Sequence, residues 1–302
     1  MKFPSFHPLV ISAALGLVTT VVLFAAMTSR GQSTRAKQEL AVKPTVLIKE
    51  SKSNSSSPFA AATAQNALLK DELNWTFGGK QQHGWYLYNL LIGKTLNSAG
   101  DPVTNDFAAA LAAWQKRKGI NASGVLDEGA LMAMVSEWQS TRLKDRSVAM
   151  SDQLVTVPAS NFYDPERLED LRRVERNTYE AYKRMVAAAI ADPTLNLART
   201  NSAELAPAEK YFKIVSAFRS PAYQEQLRRA SPNAGSAGLA VNSPHFTGRA
   251  LDLYVGGEPV STSDSNRALQ VNTPAYKWLV KNAERFGFRP YFYEPWHWEY
   301  VK

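Results

Sequence analysis

The hydropathy pattern divides the chain into an apolar run, a polar stretch and two periodic regions. Leu9 to Met27 is apolar apart from Ser12, Gly16, Thr19 and Thr20 and carries no charge. That is long enough to span a bilayer core and longer than an ordinary secretory h-region. Its exit, AAMTSRGQ, offers no A-x-A cleavage site, so residues 1–30 are expected to be an uncleaved signal anchor. Arg30, Arg35 and Lys37 follow the run whereas Lys2 precedes it, which opposes an outward-facing C-terminus. Large domains translocate largely regardless of such charge, so the expected location is the cytoplasmic membrane, facing the periplasm or wall, or secreted if the segment is cleaved. Residues 31–70, with SKSNSSS among them, are too polar to bury a core and read as a flexible linker.

Helical periodicity begins with GWYLYNLLIGKTL, Gly84 to Leu96. A second helix opens near Asp106, with Phe107, Leu111 and Trp114 on one face, and stops at Gly119. A third opens near Asp127 and carries Leu131, Met134, Val135 and Trp138. Residues 71–145 therefore form a small three-helix domain. A long helix is predicted from Asp164 to about Ala191, with Asp164 as cap and Pro165 in its first turn. Then come a strand in YFKIVSAF, a helix from Pro221, a strand at Leu251 to Val255, a helix from Pro274 to Phe286 and a last aromatic strand, YFYEPWHWEYV. Residues 151–302 read as an α+β domain.

Composition narrows the chemistry. With no cysteine, thiolate catalysis, disulfides and Cys-ligated metals are excluded, and only four histidines remain as nitrogen ligands. The net charge of +8 suits an anionic wall polymer or lipid, but no run of five basic residues marks a nucleic-acid surface. His7 precedes the apolar run, and His83 stands alone and reads as an ordinary surface or core residue. His245 and His297 have company.

SPHFTGRALDL places His245 and Asp252 on either side of Gly248, a loop running into a strand. EPWHWEY surrounds His297 with Glu294 and Glu299. No HExxH helix occurs. Two imidazoles and one carboxylate with an open fourth position nevertheless make a catalytic zinc set, in which Glu294 would be the base and Glu299 either a rival base or an acceptor that orients His297. Trp296 and Trp298 read as packing or pocket wall.

These segments resemble a known family. SPHFTGRALD fits SxHxxGxAxD, EPWH fits ExxH, and SAFRSPAYQ is similar to SGYRSxxxQ, the motifs of zinc D-alanyl-D-alanine carboxypeptidases and dipeptidases of the VanY/VanX type, the LAS superfamily. The resemblance implies a small antiparallel sheet with flanking helices. It implies Zn2+ held by His245, Asp252 and His297, with Glu294 as general base and Arg219 near the scissile carbonyl or a substrate carboxylate. Ser243 and Gln224 would bind substrate. Ala217-Phe218 departs from the usual Gly-Tyr.

WQKRKGINASGVLDEGAL, in the three-helix domain, resembles the peptidoglycan-binding repeat of cell-wall enzymes, with Gly129 where that family has Thr. The expected function is thus hydrolysis of D-Ala-D-Ala in peptidoglycan stem peptides. Alternatives are an L,D-carboxypeptidase, a D,D-endopeptidase or a non-catalytic wall-binding protein. Expected partners are stem peptides, wall glycan through the N-terminal domain and the membrane through the anchor, and no nucleic acid.

Overall fold

The three predicted helices of the first periodic region form where their caps require. In the computed structural model, which describes residues 58–98, 101–231 and 239–302, the second spans Asn105–Arg117 and the third Glu128–Ser140. Thr104 accepts from the Phe107 N–H and Asp127 from the Ala130 N–H, each closing an exposed first turn. The Gly84–Leu96 pattern forms a short 3-10 turn and then a helix at Asn89–Leu96. Two elements precede these: a helix at Ala60–Glu72 and a hairpin of strands Asn74–Phe77 and Lys80–His83. In chain order the helices are α1 (Ala60–Glu72), α2 (Asn89–Leu96), α3 (Asn105–Arg117) and α4 (Glu128–Ser140), and the strands are β1 and β2.

Residues 60–70, expected as linker, are therefore folded. The buried Asn66 explains this: its amide donates to the Gly124 carbonyl at 2.9 Å and its oxygen accepts from the Leu126 N–H at 2.8 Å. Gln115 does the same from α3, accepting from Gly124 N–H at 2.8 Å and donating to Val125 O at 2.9 Å. The residues that carry the wall-binding resemblance are thus engaged in holding the α3–α4 loop. The proposed anchor, Leu9–Met27, lies outside the described residues.

The long helix predicted from Asp164 is corrected. Strands β3 (Leu154–Thr156) and β4 (Arg173–Glu175) pair antiparallel, and the helix, α5, spans Arg176–Ile190. Val174 opposite Val155 is fully buried, so burial in a ladder overrides the helical composition of the preceding residues. Glu175, extended at φ −62° and ψ 137°, caps α5 by accepting from the Asn177 and Thr178 N–H groups.

The remainder is built on a four-stranded antiparallel sheet in the order β5 (Ile214–Ser216), β6 (Ala250–Leu253), β8 (Glu294–Tyr300), β7 (Phe288–Tyr291). The predicted last strand forms as β8, and β7, which pairs with it, lies mostly ahead of the predicted segment. Helices α6 (Pro221–Ala230), α7 (Asp264–Asn272) and α8 (Pro274–Asn282) complete the α+β architecture. One apolar cluster runs through both regions, joining Trp75, Trp85, Phe107 and Leu131 to Phe212, Leu251, Leu279 and Trp298. At the hairpin turn, Phe292 packs against Trp75, Tyr88 and Trp138. The buried Arg267 on α7 bonds Tyr88 Oη and Gln82 Oε1, both at 3.2 Å.

The expected membrane location is not supported. Among the described residues no helix is long and apolar enough to cross a membrane. The longest, α5, has 15 residues, short of the ~20 a span requires.

Candidate active site

The sheet register creates the site. Asp252 on β6 lies directly opposite His297 on β8, and Ser216 on β5 lies opposite Asp252. Cross-strand partners share a face, so the two strands point a carboxylate and an imidazole at each other. His245 comes from the 3-10 turn Pro244–Thr247, which ends at Gly248 with φ +67°. A Cβ there would meet Leu154 Cδ2 at 2.7 Å and Glu175 N at 2.9 Å, so the turn can close into β6 only with glycine.

A ligand atom from each of His245, Asp252 and His297 lies within 4.8 Å of the others, and all three residues are buried. Asp252 Oδ1 is 3.3 Å from His245 Nε2 and 2.9 Å from His297 Nδ1. The His245 Nδ1–H donates to the Ala217 carbonyl at 2.7 Å, since a carbonyl can only accept. Burial, reinforced by Arg219, pushes the His245 pKa down to about 4, leaving the ring neutral. An Nε2 lone pair therefore faces a carboxylate oxygen, a repulsive arrangement that a cation between them relieves.

His297 is flanked by acceptors on both edges, Asp252 Oδ1 and, at 3.1 Å from Nε2, Glu299 Oε1. Burial alone would lower its pKa. Hydrogen bonds to the two carboxylates outweigh that and raise it to about 9. Burial likewise opposes ionisation of Asp252, but the Arg219 charge and the hydrogen bond from His297 hold its carboxyl well below the usual range. The donor set of two nitrogens and one oxygen, each ring oriented through its other nitrogen, fits zinc.

Glu294 would face away from His297 in a regular strand. The register shift at Pro290/Tyr291 re-aims it, bringing Oε2 to 3.9 Å from His297 Nδ1. Burial pushes its pKa up to about 8.

Arg219, expected against the substrate, lies beside the ligands and braces Asp252. Nη2 donates to Asp252 Oδ2 at 2.5 Å, Nε to Ser216 Oγ at 2.9 Å and Nη1 to Gln224 Oε1 at 3.4 Å. One N–H on each terminal nitrogen is left over. Gln224 is buried and donates to the Ala240 carbonyl at 3.0 Å. Ser243 Oγ accepts from the His245 N–H at 3.3 Å, fixing the turn. Both therefore support the ligand frame. Trp298 is core, its indole N–H bonded to Pro295 O at 3.1 Å. Sequence reasoning missed Arg142 and Leu143, which bind Glu299 from the end of α4. No local motif signals them.

Residues 172–302 match the family model described as VanY, D-alanyl-D-alanine carboxypeptidase. This segment is similar to a VanY-type domain. It contains Arg219, His245, Asp252, Glu294 and His297, so the motif resemblance and the family match coincide. No curated protein matches the chain. Among solved structures, the chain is similar to the LdcB LD-carboxypeptidase, described in terms of peptidoglycan recognition. The two are 23% identical over 52% of this chain and 71% of that one, with a TM-score of 0.34.

Proposed function

We propose that the chain is a zinc-dependent D,D-carboxypeptidase that removes the terminal D-alanine from peptidoglycan stem peptides. The observation that carries this reading is the convergence of His245, Asp252 and His297 with a buried glutamate beside them, inside a carboxypeptidase-family domain. A zinc ion held by those three residues would lower the pKa of water and polarise the scissile carbonyl. Glu294 takes the proton from the attacking water and delivers it to the leaving amine. Its raised pKa in the buried, metal-free site suits a group that must both accept and release a proton near neutrality. Arg219 keeps Asp252 aimed and offers its remaining N–H groups to the developing oxyanion. Ala217, through its carbonyl, keeps the His245 Nε2 free to coordinate.

Mass spectrometry of products from defined muropeptides, with and without a chelator, tests the reading. The expected result is loss of one D-alanine from pentapeptide stems, abolished by chelator and restored by zinc. Release from tetrapeptide stems instead would reassign the bond, and chelator-resistant cleavage would refute the metal.

A further inference from the structure

The carboxylate that orients His297 is itself held by residues outside the VanY-type segment. Glu299 has a fully buried side chain. Its Oε1 receives Arg142 Nε at 3.1 Å and a closer Nη2, together with His297 Nε2 at 3.1 Å. Its Oε2 receives the Leu143 backbone N–H at 2.9 Å. Both oxygens are therefore fixed, and with them the carboxylate plane. The Arg142 fork is fixed in turn: its guanidinium lies 3.9 Å over the Tyr291 ring, and Nη1 donates to Gln139 Oε1 on α4 at 3.1 Å. The Tyr291 ring stands edge-on to His297, with centroids 5.8 Å apart. The end of α4 is anchored one turn earlier, where Trp138 Nε1 donates to Thr95 Oγ1 at 2.8 Å and the indole packs on Phe292.

We propose that Arg142 is a positioning residue of the metal centre, setting the orientation of His297 through Glu299, so that the helical region ahead of residue 172 completes the active site. The role rests on the metal-centre reading above. A planar fork and a backbone N–H define a carboxylate plane that a point charge does not. Partners of this kind behind a ligand histidine typically account for ~10–100-fold in metal affinity.

The test uses the full chain and the variant Arg142→Lys, which keeps the counter-charge of Glu299 but loses the fork. Zinc affinity is read by competition with a chromophoric chelator, ligand geometry by the visible spectrum of the cobalt-substituted protein, and turnover by kcat and KM. Arg142→Lys is expected to weaken zinc binding about 10-fold or more. The cobalt bands should shift and kcat should fall with KM nearly unchanged. Zinc affinity and cobalt spectrum equal to wild type would overturn the role. If Arg142→Lys does not fold, Arg142→Ala with added ethylguanidinium replaces it. Zinc affinity restored by ethylguanidinium but not by ethylammonium is expected, and no restoration overturns the proposal. A wild-type chain that binds no zinc would overturn the metal centre itself, a separable outcome.

Discussion

Replacing Glu294 by glutamine separates the electrostatics of the site from its shape. The residue is 7% exposed, and burial carries its pKa from 4.5 to about 8 in the metal-free chain. A folded-state value above the unfolded one stabilises fully below pH 4.5, and that contribution fades as pH rises through about 8. Each pKa unit is worth ~1.4 kcal/mol, so the ceiling on the loss is about 5 kcal/mol. Water entry and side-chain rotation relieve part of it, and about 2–4 kcal/mol is the expected size. Glutamine has the same shape and no proton to lose, so Glu294→Gln escapes this loss. Urea unfolding in chelator between pH 5 and 9 should show wild type and variant diverging as pH rises, with the variant relatively more stable at pH 9. Parallel curves would refute the burial argument. In zinc-loaded protein the same variant should retain metal and lose about 100-fold or more of its turnover, the scale of a removed general base. Full hydrolysis by Glu294→Gln would exclude this residue from the proton transfer.

Other substitutions probe the frame. His245→Ala should abolish both zinc binding and peptide hydrolysis, measured by metal content after dialysis and by product release. Gly248→Ala should cost about 1–3 kcal/mol by denaturant titration, because φ +67° is strained for alanine and the methyl would meet Leu154 and the Glu175 backbone. Gln115→Ala should cost about 2–4 kcal/mol, leaving the Gly124 N–H and Val125 carbonyl buried without their partner. The affinity of the remote metal site should be unchanged in that variant.

What the sequence disclosed follows from how local each signal is. The helix starts near Asp106 and Asp127, the α3 stripe and the glycine turn before β6 depend on neighbours in the chain, and each forms close to where expected. The motifs bring the site together because register sets Asp252 opposite His297, the turn ending at Gly248 delivers His245, and the register shift between β7 and β8 re-aims Glu294. Burial of Val174 against Val155 was not legible: residues 164–175 have helical composition, and a ladder with β3 overrides it. Strand β7 was not legible, because its four residues, Phe288–Tyr291, include a proline and an arginine and show no clear alternation. Asn66 and Arg142 make their decisive contacts with residues 58 and 157 positions away, and no periodicity encodes such pairs. Arg219 and Gln224 were found, but their partners, Asp252, Ser216 and Ala240, became visible only in three dimensions.

Strand β8 is buried at all seven positions from Glu294 to Tyr300. Each of its side chains meets either the core or the chemistry, so the strand has no tolerant position at which new substrate preferences could be selected. A mutational library spread across β8 would return mostly inactive clones, whereas one of equal size in the exposed part of the 192–210 connection would leave the ligand frame intact.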